Sequence, residues 1–188
     1  YITNRSSGKM GYSIAEEARD RGADVTLISG PTKLSIPFGI NFINVRTNAQ
    51  MLKAVLDNFQ GQDIVIKAAA VSDYKAKDYS KRKIKKSEDE FSLAFISDVD
   101  ILRELGKLKK NQILVGFAAE SNDLLENASK KLGKKNLDYI VANNITASDS
   151  GFASDDNMVT ILSRDGKKVD LNKMSKREVA HLIQIYLF

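Results

Sequence analysis

The sequence predicts a doubly wound α/β fold: a mostly parallel, Rossmann-like sheet covered by helices on both faces. Short apolar runs such as Asp24–Ser29 (DVTLIS), Asp63–Ala70 (DIVIKAAA) and Gln112–Ala118 (QILVGFA) are separated by segments of helical spacing. That alternation is the signature of βαβ units. The pattern then changes, because Asn157–Ser163 and Lys167–Leu171 flank Arg164-Asp165-Gly166, the signal of a C-terminal antiparallel hairpin at a sheet edge. At 188 residues, 43% hydrophobic and 28% charged, the chain is expected to form a single domain over residues 1–188.

Each element has its own warrant. Gly8–Arg21 reads as a helix with Ile14, Ala15 and Ala18 on one face and Gly22 as its stop. Asp24–Ser29 is a buried strand ending at Gly30-Pro31, and Asn41–Arg46 is another. Thr47 or Asn48 caps a helix to about Asn58. Asp63–Ala70 is a strand that runs into the loop Val71–Tyr74. Phe91–Ile96 is short and alternating, and Ser97 with Asp100 resembles a capping box for a helix to about Leu108. The central strand Gln112–Ala118 precedes a helix to about Lys135 and the strand Asp138–Ala142. Ser175-x-x-Glu178 opens a last helix bearing Val179, Leu182, Ile183 and Tyr186.

Composition excludes several chemistries. The sequence has no Cys and one His, which removes thiolate nucleophiles, Cys-ligated zinc and His-rich metal sites. No apolar run reaches the length of about 18 residues that a membrane span needs. The chain therefore reads as cytoplasmic, with no membrane partner. The charge is clustered: Lys75–Lys86 holds seven cations against the single acid Asp78, and Lys130–Lys135 holds four more. Such clusters attract polyanions.

In a doubly wound sheet the loops leaving the carboxyl ends of strands carry the ligand site. Asn4-Arg5-Ser6-Ser7-Gly8-Lys9-Met10-Gly11 is a polar loop opening a helix, where backbone N–H groups favour a phosphate. It is neither a Walker A loop nor G-x-G-x-x-G, and a plain capped helix start fits it equally well. Ala68–Tyr74 leaves room for a ligand against the backbone, with Asp73 placed to take a metal or hydroxyl groups; close helix packing and a turn are the other reading. The basic segment reads either as a flap that orders around an anion or as a solvated loop. Lys131 and Lys135 share a helix face at i, i+4. His181 lies on the polar side of the last helix, where a surface role is expected.

Taken together, these residues resemble phosphopantothenoylcysteine synthetase, the second activity of bacterial bifunctional coenzyme A biosynthesis proteins. The matching stretches are Ile2–Gly11, Ala69–Tyr74, Lys83-Ile84-Lys85-Lys86, Gly116-Phe117-Ala118-Ala119-Glu120 and Lys134-Lys135-Asn136-Leu137-Asp138, in family order. The resemblance implies a CTP-dependent acid–amino-acid ligase. It would activate 4′-phosphopantothenate to an acyl-cytidylate with Mg²⁺ and CTP, then join it to L-cysteine, with no flavin in this chain.

Residue by residue, the resemblance implies that Asn4 and Lys83 act in the chemistry, Lys83 on a flexible flap over residues 75–90. Ser6, Ser7, Gly8, Ala69, Asp73, Lys83, Val99, Asp100, Ile101, Leu102, Phe117, Lys131 and Lys135 would form the nucleotide site, with Val99 where the family pattern has proline. Asp73 is the candidate for the magnesium triphosphate, and no other metal ligand is indicated. The resemblance also implies a homodimer, with the flap and the hairpin 157–171 as interface candidates. It implies fusion to a flavin-dependent decarboxylase domain as well. The family's N-terminal strand, glycine-rich turn and arginine precede the position of Tyr1, so the sheet is expected to lack its first strand. Two rivals stay open: a basic nucleic-acid-binding module, which requires a steep salt dependence of binding, and a nicotinamide-dependent oxidoreductase. The ligase reading expects no nucleic acid.

Overall fold

Period-two apolar faces give nine strands, and amphipathic stripes give five helices, among the residues described by the computed structural model: 6–78, 92–120, 124–144 and 156–187. The first half runs α1 (Lys9–Asp20), β1 (Thr26–Ser29), β2 (Asn41–Asn44), α2 (Asn48–Phe59), β3 (Ile64–Lys67), β4 (Tyr74–Ala76) and β5 (Phe95–Ser97). The second runs α3 (Ile101–Leu108), β6 (Ile113–Glu120), α4 (Leu124–Lys134), β7 (Tyr139–Asn144), β8 (Asp156–Ser163), β9 (Lys168–Ser175) and α5 (Lys176–Leu187).

The largest sheet has the order β3-β6-β7-β8-β9. Its first three strands are parallel, and the closing hairpin adds β8 and β9 antiparallel. Strands β1 and β2 pair in parallel as a separate ladder, and β4 and β5 form an antiparallel ribbon. Helices α2, α3 and α4 cover one face, where Met51, Phe59, Ile101, Leu105, Ala128 and Leu132 enclose Leu114 and Ile140. Ile28 and Ile43 of the small ladder pack into this same core beside Val65 of β3. Met10 of α1 and Val179, Ile183 and Leu187 of α5 meet Val115, Val141 and Val159 on the other face. The result is the mostly parallel, doubly wound α/β architecture that the sequence predicts.

Local chemistry sets the boundaries. Thr47 and Gln50 form a reciprocal capping box for α2. Ser175 and Glu178 do the same for α5, with Glu178 Oε2 accepting from Ser175 N at 2.9 Å and Glu178 N donating to Ser175 Oγ at 3.2 Å. Two expectations are corrected. Asp100 alone caps α3, accepting from Arg103 N at 3.2 Å, so Ser97 belongs to β5 rather than to a cap. The segment after Val71 is not all loop, because Tyr74–Ala76 pairs with Phe95–Ser97.

Helices α1 and α5 are also joined by charge. Buried Glu17 accepts from Arg21 Nε at 2.8 Å, and its Oε1 lies 2.8 Å from His181 Nδ1. Arg177 reaches Glu16 at 3.1 Å and Asp20 at 2.5 Å. The surface role expected of His181 is thus a specific one, a tie between the first and last helices. The hydrogen bond from Arg21 and then that from His181 hold the Glu17 carboxyl below its ordinary value of 4.5, against the opposing effect of burial.

A carboxylate whose folded value is depressed contributes stability that is complete above its unfolded value and lost as the pH falls through the folded one. Glu17→Gln should therefore lower the Tm at neutral pH by a few degrees, as a loss of about 1 kcal/mol does in a domain of this size. It should also flatten the fall of Tm below pH 4.5. Equal acid sensitivity of variant and parent in a thermal-melt series would refute the assignment.

Candidate active site at the end of strand β3

The site is built where α1, the segment after β3, α3 and α4 meet. Helix α1 begins at Gly8, whose φ of 77° lies in the left-handed region that glycine favours. A Cβ there would sit 2.8 Å from Thr32 Cγ2, so the turn closes tightly on the loop after β1. Gly8 offers no side-chain cap, and no acidic side chain occupies the first turn of α1. Ser6 Oγ accepts from Gly8 N, and Ser7 Oγ from Lys9 N, both at the long distance of 3.4 Å. One turn on, a Cβ at Gly11 would lie 3.8 Å from Ala68 Cβ. This contact sets the start of α1 against the segment leaving β3.

That segment is anchored by a lysine. Lys67, the last residue of β3, opposes Gly116 of β6, and its Nζ donates to Ala69 O at 2.9 Å. Burial pushes its ammonium below the ordinary range, Asp100 and Asp73 pull it back up, and Lys135 pushes it down. The chain then enters the ribbon, where Asp98 N donates to Asp73 O at 2.8 Å and Lys75 Nζ lies 3.1 Å from Asp98 Oδ1. Asn48, from α2, donates to Val99 O at 2.9 Å. Residues 99–102 are therefore held from both sides. Ile101 and Leu102 point into the core, with Ile101 2% and Leu102 5% exposed. A ligand can reach that stretch only through its backbone, Val99 and Asp100.

Asp100 divides its two oxygens between two tasks. Oδ1 caps α3, and Oδ2 lies 2.8 Å from Lys135 Nζ. Burial works against its charge, but the bonds from Lys135 and Arg103 N outweigh it and keep the carboxyl below the usual range. Lys135 is held in place by packing beneath it: a Cβ at Gly106 of α3 would fall 2.0 Å from Lys135 O, so only glycine allows this approach. The residues that follow are structural. Asn136 adopts φ 53° and donates to Gly106 O at 2.8 Å; Leu137 is fully buried. Asp138 accepts from Leu114 N at 2.7 Å and pairs with Lys109.

The structure thus links Ser6, Ser7 and Gly8 to Ala69 through the Gly11–Ala68 contact, and Ala69 and Asp73 to Asp100 and Lys135 through Lys67. Lys131 is half-buried one turn before Lys135 on α4. Phe117 is placed differently, because it packs into the core beneath α1 and α5, on the sheet face opposite α3 and α4. Asn4 and Lys83 lie outside the described residues, as does the flap from residue 79 onward. Lys67 is the site residue that motif reading missed; its signal was a lone cation inside the apolar run DIVIKAAA. Among the described residues no three His, Asp or Glu side chains converge on a metal position. That donor set suits an ion carried by phosphates and touched by one carboxylate, the usual arrangement for Mg²⁺.

A cluster of lysines and one capping aspartate beside a helix start, on a doubly wound sheet, defines an α/β domain of the anion-handling kind. The chain belongs to the family described as DNA/pantothenate metabolism flavoprotein C-terminal domain, which matches residues 1–187. It is 50% identical over 181 residues to the coenzyme A biosynthesis bifunctional protein CoaBC of Bacillus subtilis, covering 96% of this chain and 45% of that protein. The chain thus spans slightly less than half of that relative. The crystal structure of the C-terminal domain of a CoaBC protein superposes with a TM-score of 0.84 at 41% identity, covering 99% of this chain and 85% of that one. A Cab2 mutant in complex with phosphopantothenate-cysteine gives 0.76 at 17% identity over 99% of this chain and 79% of that one, a likeness of fold alone.

The two tasks of Asp100 separate by substitution. Asp100→Asn keeps a cap and loses the ion pair, whereas Asp100→Ala loses both. The alanine variant should be less stable than the asparagine variant by about 1 kcal/mol, the usual worth of an N-cap. Equal denaturation midpoints would show that the cap contributes nothing.

Proposed function

We infer that this domain condenses 4′-phosphopantothenate with L-cysteine at the expense of CTP. The observation that carries the reading is family membership over residues 1–187 together with the convergence of Ala69, Asp73, Asp100 and Lys135 around Lys67. In the first step a carboxylate oxygen of the acid attacks the α-phosphorus of CTP. A P–O bond forms, and the bond to the bridging oxygen breaks with its electron pair leaving on pyrophosphate. In the second step the neutral amine of cysteine attacks the acyl carbon, CMP departs, and the ammonium proton goes to solvent. The amide so formed corresponds to the molecule in the Cab2 complex.

Neither step needs an enzyme nucleophile. Both need charge neutralisation and alignment, which preorganised cations and dipoles supply. In this reading Lys131, Lys135 and Lys67 offset the triphosphate charge, and Asp73 meets the ribose or the magnesium triphosphate. The backbone of residues 99–102 borders the nucleotide, Phe117 supports it from the far face, and Ser6, Ser7 and Gly8 hold phosphate at the start of α1. Mg²⁺ would shield the phosphate oxygens from the incoming carboxylate. Asn4 orients the acyl carbonyl, and Lys83 meets the charge developing on the α-phosphate. The substrates carry with them a cytoplasmic location.

The reading extends to a homodimer. Tyr74, Leu93, Phe95 and Ile96 are exposed on or beside the β4–β5 ribbon, an apolar surface that a second subunit would cover. The hairpin candidate is narrowed to β9, because β8 lies between β7 and β9. Fusion to a flavin-dependent decarboxylase domain belongs to the same proposal.

Pyrophosphate release should require CTP and 4′-phosphopantothenate together. Lys83→Gln should lower kcat on the order of a hundredfold or more, as loss of one transition-state charge contact does, with the circular dichroism spectrum unchanged. Pyrophosphate release with CTP alone, or full activity in the variant, would contradict the reading.

A further inference from the structure

The sheet face beneath the start of α1 carries two amides that the nucleotide site does not use. Asn157, in β8, is 4% exposed and shares its face with Val159 and Ile161, core residues under α1 and α5. Its Nδ2 lies 3.5 Å from the thioether sulfur of Met10, in the first turn of α1. Its Oδ1 is buried with no hydrogen-bond partner. Asn143, near the end of β7, pairs in register with Val159 and lies on the same face as Val141. Its Oδ1 is likewise buried without a partner.

A core would not hold these groups for stability. A thioether is a weak acceptor, and turning the Asn157 amide over would set its carbonyl against a sulfur that has no hydrogen to give. In either orientation one end stays unmet, and a buried unmet polar group is destabilising. Both amides sit at a helix start that lacks a side-chain cap and acidic neighbours. Such an end attracts anions.

We propose that Asn157, with Asn143, forms a phosphoryl-binding subsite together with the first turn of α1, its carboxamide turning from Met10 to hydrogen-bond the phosphoryl group of a substrate. This rests on the ligase reading for the identity of the phosphoryl compound. Two substrates of that reaction carry such a group: the terminal phosphate of 4′-phosphopantothenate and the triphosphate of CTP.

Asn157→Leu, which keeps the side chain's branching and removes its polar ends, separates a binding amide from a packing one. Binding of CTP alone and of 4′-phosphopantothenate alone is measured by titration calorimetry on the full chain, beside the Tm. The expected result is a Tm equal to or above that of the parent and a Kd raised tenfold or more for one of the two compounds, which names the source of the phosphate. Unphosphorylated pantothenate serves as the control, and its binding should not change between parent and variant if the acid is that source. Unchanged Kd values for both compounds would overturn the proposal, as would a lowered Tm with unchanged binding. Should Asn157→Leu not fold, Asn157→Ala carries the same comparison of Kd values. A parent chain that binds neither compound would instead remove the ligase reading, an outcome distinct from a variant that binds as the parent does.

Discussion

The ion pair between Asp100 and Lys135 is the interaction on which the candidate site depends. At 2.8 Å it ties the start of α3 to the end of α4, two helices contributed by different βαβ crossovers. It also sets the potential around Lys67. One carboxylate stands between two lysines, so the local balance stays positive although an anion lies at its centre. An ion pair so arranged is poor evidence of stability, because desolvation offsets much of its attraction. It fits better as a positional device that holds an ammonium group at a fixed height above β3.

That device works only because the backbone beneath it is close-packed. Gly106 allows α3 to touch the Lys135 carbonyl, and Asn136 returns a hydrogen bond to Gly106 O. Asp138 then clamps Lys109 and the amide of Leu114, fixing the end of α4 against the start of β6. The stretch Lys134–Asp138 thus combines one side chain for the site with three residues that secure it. A motif of this kind is compact because the positioning residues lie next to the residue they position.

Much of this was legible in the sequence, for reasons that can be named. Helices α2 and α5 announced themselves through capping chemistry, and β6 through an uninterrupted apolar run that suits a strand covered on both faces. The β4–β5 ribbon was not legible, because strand β4 opens a lysine-rich segment and its side chains are exposed. Nothing in its hydrophobic pattern distinguishes it from a loop. The capping box at Ser97 was misread because Ser and Asp three apart satisfy the pattern, while only Asp100 has the geometry. Phe117 was grouped with Lys131 and Lys135 by motif alone; strand alternation puts odd-numbered positions of β6 on the α1–α5 face, away from α4. The same alternation holds the signal for Asn157, an amide in step with Val159 and Ile161, and it is visible only once the buried face is known.

The two faces of the sheet therefore divide the work. On one side, α3 and α4 bring cations to the end of β3, where charge is the dominant consideration. On the other, α1 presents a helix start over two buried amides, where directional hydrogen bonding dominates. Helix α1 can serve there because both its ends are fixed: Gly8 and Gly11 press against Thr32 and Ala68, while Glu17 and Asp20 are tied to α5 through His181 and Arg177. The single histidine is spent on that tie, some three turns from the start of the helix by the spacing of Glu17 and Gly8. A reaction at this site must accordingly draw on lysines, amides and helix dipoles, which suits the activation of one anion by another.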